Sequence, residues 1–100
     1  MRQVANIAIY YQKDPQELAE QAIQSVNEVI PKLETIHTVK GVFIDLYNEN
    51  FELFELLNSR LEDIDIIYMN REIQDDFIKE LISQLRRYQQ FELNYFKDIK

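Results

Sequence analysis

The chain has 100 residues, 46% hydrophobic and 29% charged, which suits one folded domain with a single core and leaves no room for a second. Eleven Lys+Arg against eighteen Asp+Glu give a net charge of −7, a surface that repels phosphate backbones and argues against direct nucleic-acid binding. Without cysteine, and with one histidine, disulfides and thiolate metal sites are excluded and little remains for zinc.

No apolar run approaches the roughly 20 residues of a membrane span, and the Met1-Arg2-Gln3 start lacks a leader's apolar segment. A cytoplasmic location and no membrane partner are the expectation.

Val4-Ala5-Asn6-Ile7-Ala8-Ile9-Tyr10 is an apolar, partly β-branched run that predicts a central strand covered on both faces. Asp14-Pro15-Gln16-Glu17 then offers an acidic cap, proline at the first helical position and a glutamate for a capping box, so a helix is predicted from there. Leu18, Ala19, Ala22, Ile23, Val26, Val29 and Ile30 trace one face of it until Pro31 discourages continuation.

Residues 32–40 read as a helical extension or a loop before a turn at Gly41, the only glycine. Val42-Phe43-Ile44-Asp45-Leu46 is the second strand. Asn50 can cap a short helix whose inner face is Leu53, Phe54, Leu56, Leu57 and Leu61. Ile64–Met69 is the third strand, Phe77, Ile78, Leu81, Ile82 and Leu85 stripe a third helix, and Phe91, Leu93 and Tyr95 alternate as an edge strand. The order β-α-β-α-β-α-β predicts an α/β fold, a small doubly wound and mostly parallel four-stranded sheet.

Ligands of such sheets collect at the carboxyl ends of strands, here residues 11–14, 45–50 and 70–74. One glycine cannot build a dinucleotide fingerprint or a P-loop. Asp14, Asp45 and Glu72 could meet around a divalent cation, although a cap, a strand end and a solvated glutamate explain them as well. His37 has no nucleophile constellation beside it and reads as an ordinary histidine. Lys79, Arg86 and Arg87 are offset by Asp75, Asp76 and Glu80, which reads as a solvated face.

Ile7-Ala8-Ile9-Tyr10-Tyr11-Gln12-Lys13-Asp14 resembles the V-A-I-Y-x-R-V-S opening of the serine recombinases, the resolvase and invertase family, in their N-terminal catalytic domain. Residues 50–57, beginning Asn50-Phe51, echo its R-P-x-F-x-x-L-L. Residues 63–74 echo D-x-V-x-V-x-x-L-D-R-L-x-R, and residues 87–96 resemble the turn into the last core strand. The resemblance implies a recombinase core whose chemistry is lost. Asp14 stands at the nucleophilic serine and Gln12 at the nearby arginine. Asn50 replaces the second motif's arginine, Asn70 an aspartate and Gln74 a final arginine, and Arg71 alone matches. A phosphoseryl intermediate and an arginine cluster on the phosphorane are therefore not expected. The family's long dimerisation helix and DNA-binding region would follow Lys100, and their absence from these residues is part of the same expectation.

The leading functional expectation is an inactive recombinase-like domain, of phage or mobile-element type, that binds and regulates a protein and needs no cofactor. Tyr47, Glu49, Phe51 and Glu52 are the candidate contact residues, an acidic aromatic patch suited to a basic or DNA-binding partner. The alternative is a metal-dependent phosphodiesterase or phosphotransfer enzyme built on Asp14, Asp45, Glu72 and Arg71. A third reading is a homodimer formed through the edge strand with Phe91, Tyr95 and Phe96.

Overall fold

The computed structural model describes residues 4–59 and 61–99; the Met1-Arg2-Gln3 start and the Lys100 end invoked above lie outside the described residues. In chain order the elements are β1 (Ala5–Gln12), α1 (Ala19–Glu34), β2 (His37–Asp45), α2 (Phe51–Leu57), β3 (Ile66–Met69), α3 (Asp76–Gln89) and β4 (Glu92–Tyr95). Single 3-10 turns follow α2 at Leu61–Asp63 and β4 at Phe96–Asp98. Every strand pair is parallel and the sheet order is β2-β1-β3-β4, so the α/β expectation holds, with β1 interior and β4 at an edge.

The order explains the layers. The chain moves from β1 to one side for β2, then crosses back over β1 to β3, and right-handed crossovers in opposite directions put their helices on opposite faces. Ile7 and Ile9 of β1 pack with Leu33 of α1 and Tyr68 of β3, and Tyr11 packs with Ala22 and Val26 of α1. On the other face Ala8 and Tyr10 pack with Leu53, Leu56 and Leu57 of α2 and with Ile78 and Ile82 of α3. Residues 7–11 are all buried, which is why β1 reads as an unbroken apolar run rather than an alternating one.

The predicted helix start is corrected. Residues 14–17 form a turn, closed by the Glu17 N–H donating to the Asp14 carbonyl at 3.2 Å, and α1 begins at Ala19 with Leu18 at the cap position. The Asp14 carboxylate engages Arg71 instead of the helix, while Gln21 Oε1 accepts from the Leu18 N–H at 2.8 Å and covers that orphan donor. Leu18, Ala19 and Ile23, assigned above to the inner face, are exposed. Pro31 does not end the helix. It lies three residues before the end on an exposed position, where the lost hydrogen bond is local, and buried Leu33 holds the last turn against the sheet.

β2 starts at His37 and runs through Gly41, so the glycine marks no turn. It sits at a register irregularity, Ile7 facing Val39 and Ala8 facing Gly41, with Lys40 as the extra residue. A Cβ on Gly41 would lie 2.9 Å from Cε2 of Phe43, so the close approach of that ring is what the glycine permits. The strands are also adjusted at their ends: β1 extends to Gln12, β2 stops before Leu46, and β3 begins at Ile66.

Asn50 does occupy the cap position of α2, but its side chain makes no cap hydrogen bond. Asp45 does that work, its carboxylate accepting from the N–H groups of Glu52 (2.8 Å) and Leu53 (3.1 Å). Phe54 and Phe77, placed above on inner faces, are exposed, while Phe91 is buried and unavailable to an edge-to-edge dimer. Phe96 is half-buried, its ring 6.0 Å from that of Tyr11. α3 is capped by Asp75, which accepts from the Ile78 N–H at 3.1 Å. None of the helices among the described residues is long and apolar enough to cross a membrane.

Candidate functional site

The strand order reverses between β1 and β3, and the crevice beyond their carboxyl ends is where a doubly wound sheet admits a ligand. Here the chain's own side chains close it. Asn70, just after β3, accepts from the Gln12 N–H with Oδ1 at 2.9 Å and donates Nδ2 to the Gln12 carbonyl at 2.9 Å. Its amide therefore satisfies the backbone of the last β1 residue, as another strand would. Arg71 donates to the Asp14 carboxylate and, through Nη2, to the carbonyls of Gln12 and Lys13 at 3.1 Å each. The Gln12 side chain reaches the loop after β2, Nε2 donating to the Glu49 carbonyl at 3.1 Å.

A second node lies inside the sheet. Asp45 is buried, and besides capping α2 it accepts from the Tyr10 hydroxyl at 2.7 Å. Burial, then the hydrogen bond and charge of Asp45, push the Tyr10 phenol well above its ordinary range. Tyr11, on the opposite face, donates to the Glu17 carboxylate at 2.5 Å, and burial followed by that bond raises its pKa too.

Gln12, Asp14, Asn70 and Arg71 thus converge as a single hydrogen-bonded cluster. Gln74 is exposed and donates only to the Glu72 carbonyl at 3.5 Å, and Asn50 is held at the α2 cap position without joining the cluster. Asp14, Asp45 and Glu72 do not come together: among the described residues no group of three His, Cys, Asp or Glu could hold a metal ion. Asp45 is turned to α2 and Tyr10, and Glu72 is exposed.

Comparison with known family models, curated proteins and solved structures gives no match.

The cluster's chemistry is consequently read from its own contacts. It offers one carboxylate, Asp14, and one guanidinium, Arg71, already paired with each other. Beside it, the loop after β2 and the first turn of α2 expose Tyr47 (53%) and Phe51 (72%) together with Glu52, while Glu49 is half-buried behind them. Leu46 and Phe54 of the same segment are also exposed. His37, at the start of β2, is half-buried, its ring 6.0 Å from Tyr68 and its Nδ1 unpartnered among the described residues.

The Tyr10–Asp45 pair is the feature that sequence reasoning missed. Its signal was a hydroxyl inside an apolar central strand, which needs a buried acceptor, and an acidic residue a few positions before a helix start, which can cap it.

Proposed function

We propose that this chain is a non-catalytic, recombinase-like domain that works by binding another protein, as an interaction or regulatory module. The observation that carries the reading is the self-satisfied crevice. Arg71 is bonded to Asp14 and to two backbone carbonyls, and Asn70 to both backbone polar groups of Gln12. A phosphodiester entering there would have to displace the Asp14 carboxylate from the guanidinium and then meet that carboxylate instead of a nucleophilic hydroxyl. The exposed Tyr47 and Phe51, flanked by Glu52, supply what a basic protein partner needs, aromatic area within a complementary charge.

The test has two arms. Incubated with supercoiled DNA, the protein is expected to give neither nicks nor a covalent DNA adduct. Used as bait at low salt, it is expected to retain a basic protein that both Phe51→Asp and Glu52→Lys lose, since both side chains are exposed and dispensable to the core. Nicking that disappears with Asp14→Ala, or a set of retained proteins indifferent to both substitutions, overturns the proposal.

A further inference from the structure

In a chain with an excess of acids, two cations line a part-apolar groove near the β4 edge of the sheet, on the face that α2 and α3 share. The groove, of about 310 Å³, lies between the carboxyl ends of β3 and β4 and the inner side of α3. Half-buried Ile73, Leu93 and Tyr95 form its accessible apolar lining over buried Met69 and Ile82, and Lys79 and Arg86 reach it from α3. Seven residues separate these two cations, about two helical turns, so they share one side of the helix. Neither is held in a direct ion pair, the one such pair among the described residues being Arg71–Asp14. Arg86 Nε donates to the Phe91 carbonyl at 3.1 Å, which anchors the guanidinium while its two terminal nitrogens remain without a protein acceptor among the described residues.

We propose that this groove binds a small amphipathic acid, its apolar body against Ile73, Leu93 and Tyr95 and its single carboxylate between Lys79 and Arg86. The half-buried side chains of Ile73, Leu93 and Tyr95 gain from covering, the terminal nitrogens of an arginine match the two oxygens of a carboxylate, and the open groove is of small-ligand size. Glu72, which also lines the groove, limits the charge, because a dianionic head group would face a fixed carboxylate where a monoanion is balanced by two cations. The site is independent of the protein-binding reading, being at the β4 edge of the sheet rather than the β2 edge.

The experiment is an NMR titration of the full chain with phenylacetate, with its neutral isostere phenylacetamide and with inorganic phosphate. Phenylacetate is expected to shift the resonances of Ile82, Leu93 and Tyr95 to saturation at millimolar concentration, and phenylacetamide to bind about tenfold more weakly. Phosphate alone is expected to leave those resonances in place. Lys79→Gln, on an exposed position, and Arg86→Lys, which keeps the charge but not the fork, are each expected to weaken phenylacetate several-fold while the remaining resonances report an intact fold. Equal binding of the amide, saturation of the same resonances by phosphate, or no saturable shift overturns the proposal. So does protection of these resonances by concentration-dependent self-association, which assigns the groove to a second copy.

Discussion

Asp45 and Asp14 are carboxylates at the carboxyl ends of neighbouring strands, and the sheet treats them in opposite ways. Asp45 is 3% exposed and gathers three donors, the Tyr10 hydroxyl and the N–H groups of Glu52 and Leu53. The Asp14 side chain is 59% exposed and pairs with an Arg71 side chain that is itself 37% exposed. Away from water, each hydrogen bond to a charge is strong and each unpaired group is costly. At the surface, screening and side-chain entropy offset most of the attraction between two opposite charges. The comparison separates roles: Asp45 ties a helix start and a core hydroxyl into the sheet, and Asp14 makes an exposed ion pair that adds little to stability.

The sharpest way to break this contrast is Asp45→Ala. The substitution strands the buried Tyr10 hydroxyl and uncaps α2, and the two effects together are expected to cost about 3–4 kcal/mol. Urea denaturation should show a lower midpoint with an unchanged slope, the mark of lost native stability rather than an altered unfolded chain. A cost below about 1 kcal/mol would mean that Asp45 is no more structural than a surface residue.

Tyr10→Phe probes the same node more gently. It leaves Asp45 with both backbone donors and is expected to cost about 1–2 kcal/mol at neutral pH. The pH dependence carries a definite sign. The folded phenol holds its proton above the ordinary value of 10.0 because it is buried and bonded to Asp45. Below pH 10 both states are protonated and the stabilisation is complete; above it the unfolded chain releases a proton that the folded chain keeps, so stability falls as pH rises. Melting temperatures above pH 10 should therefore drop less steeply in Tyr10→Phe than in the native chain, with Tyr11, also raised, sustaining part of the fall.

Why one node was legible from sequence and the other was not follows from how each is made. The windows 11–14 and 70–74 could be picked out because the rule that parallel strand ends gather at one edge is topological, and the succession of strands follows from apolar runs such as residues 7–11. Gln12, Asp14, Asn70 and Arg71 within them are named together only by the recombinase resemblance, which also names Asn50 and Gln74, outside the cluster. The Tyr10–Asp45 bond spans 35 positions and depends on the alignment of β1 with β2, which the bulge at Lys40 shifts by one residue. No local pattern encodes that shift. The misplaced start of α1 has the same origin: Asp14-Pro15-Gln16-Glu17 is a sound local capping signal, and tertiary partners, Arg71 for Asp14 and Tyr11 for Glu17, take both carboxylates first. Pro31 and Gly41 were read by their average behaviour. Burial of Leu33 carries the helix past the one, and the Phe43 ring explains the other within a strand.

The smallest expected effect completes the contrast at its exposed end. A double-mutant cycle on Asp14→Ala and Arg71→Ala isolates the coupling of the ion pair from whatever else each side chain does. For a pair this exposed the coupling should be about 0.5 kcal/mol and shrink further in molar salt. Arg71→Ala alone should cost more than Asp14→Ala alone, because it also releases the carbonyls of Gln12 and Lys13. If the coupling instead rivals the cost of Tyr10→Phe and resists salt, the crevice is electrostatically as closed as the buried node. Asp14 then belongs to the structural framework rather than to its variable rim.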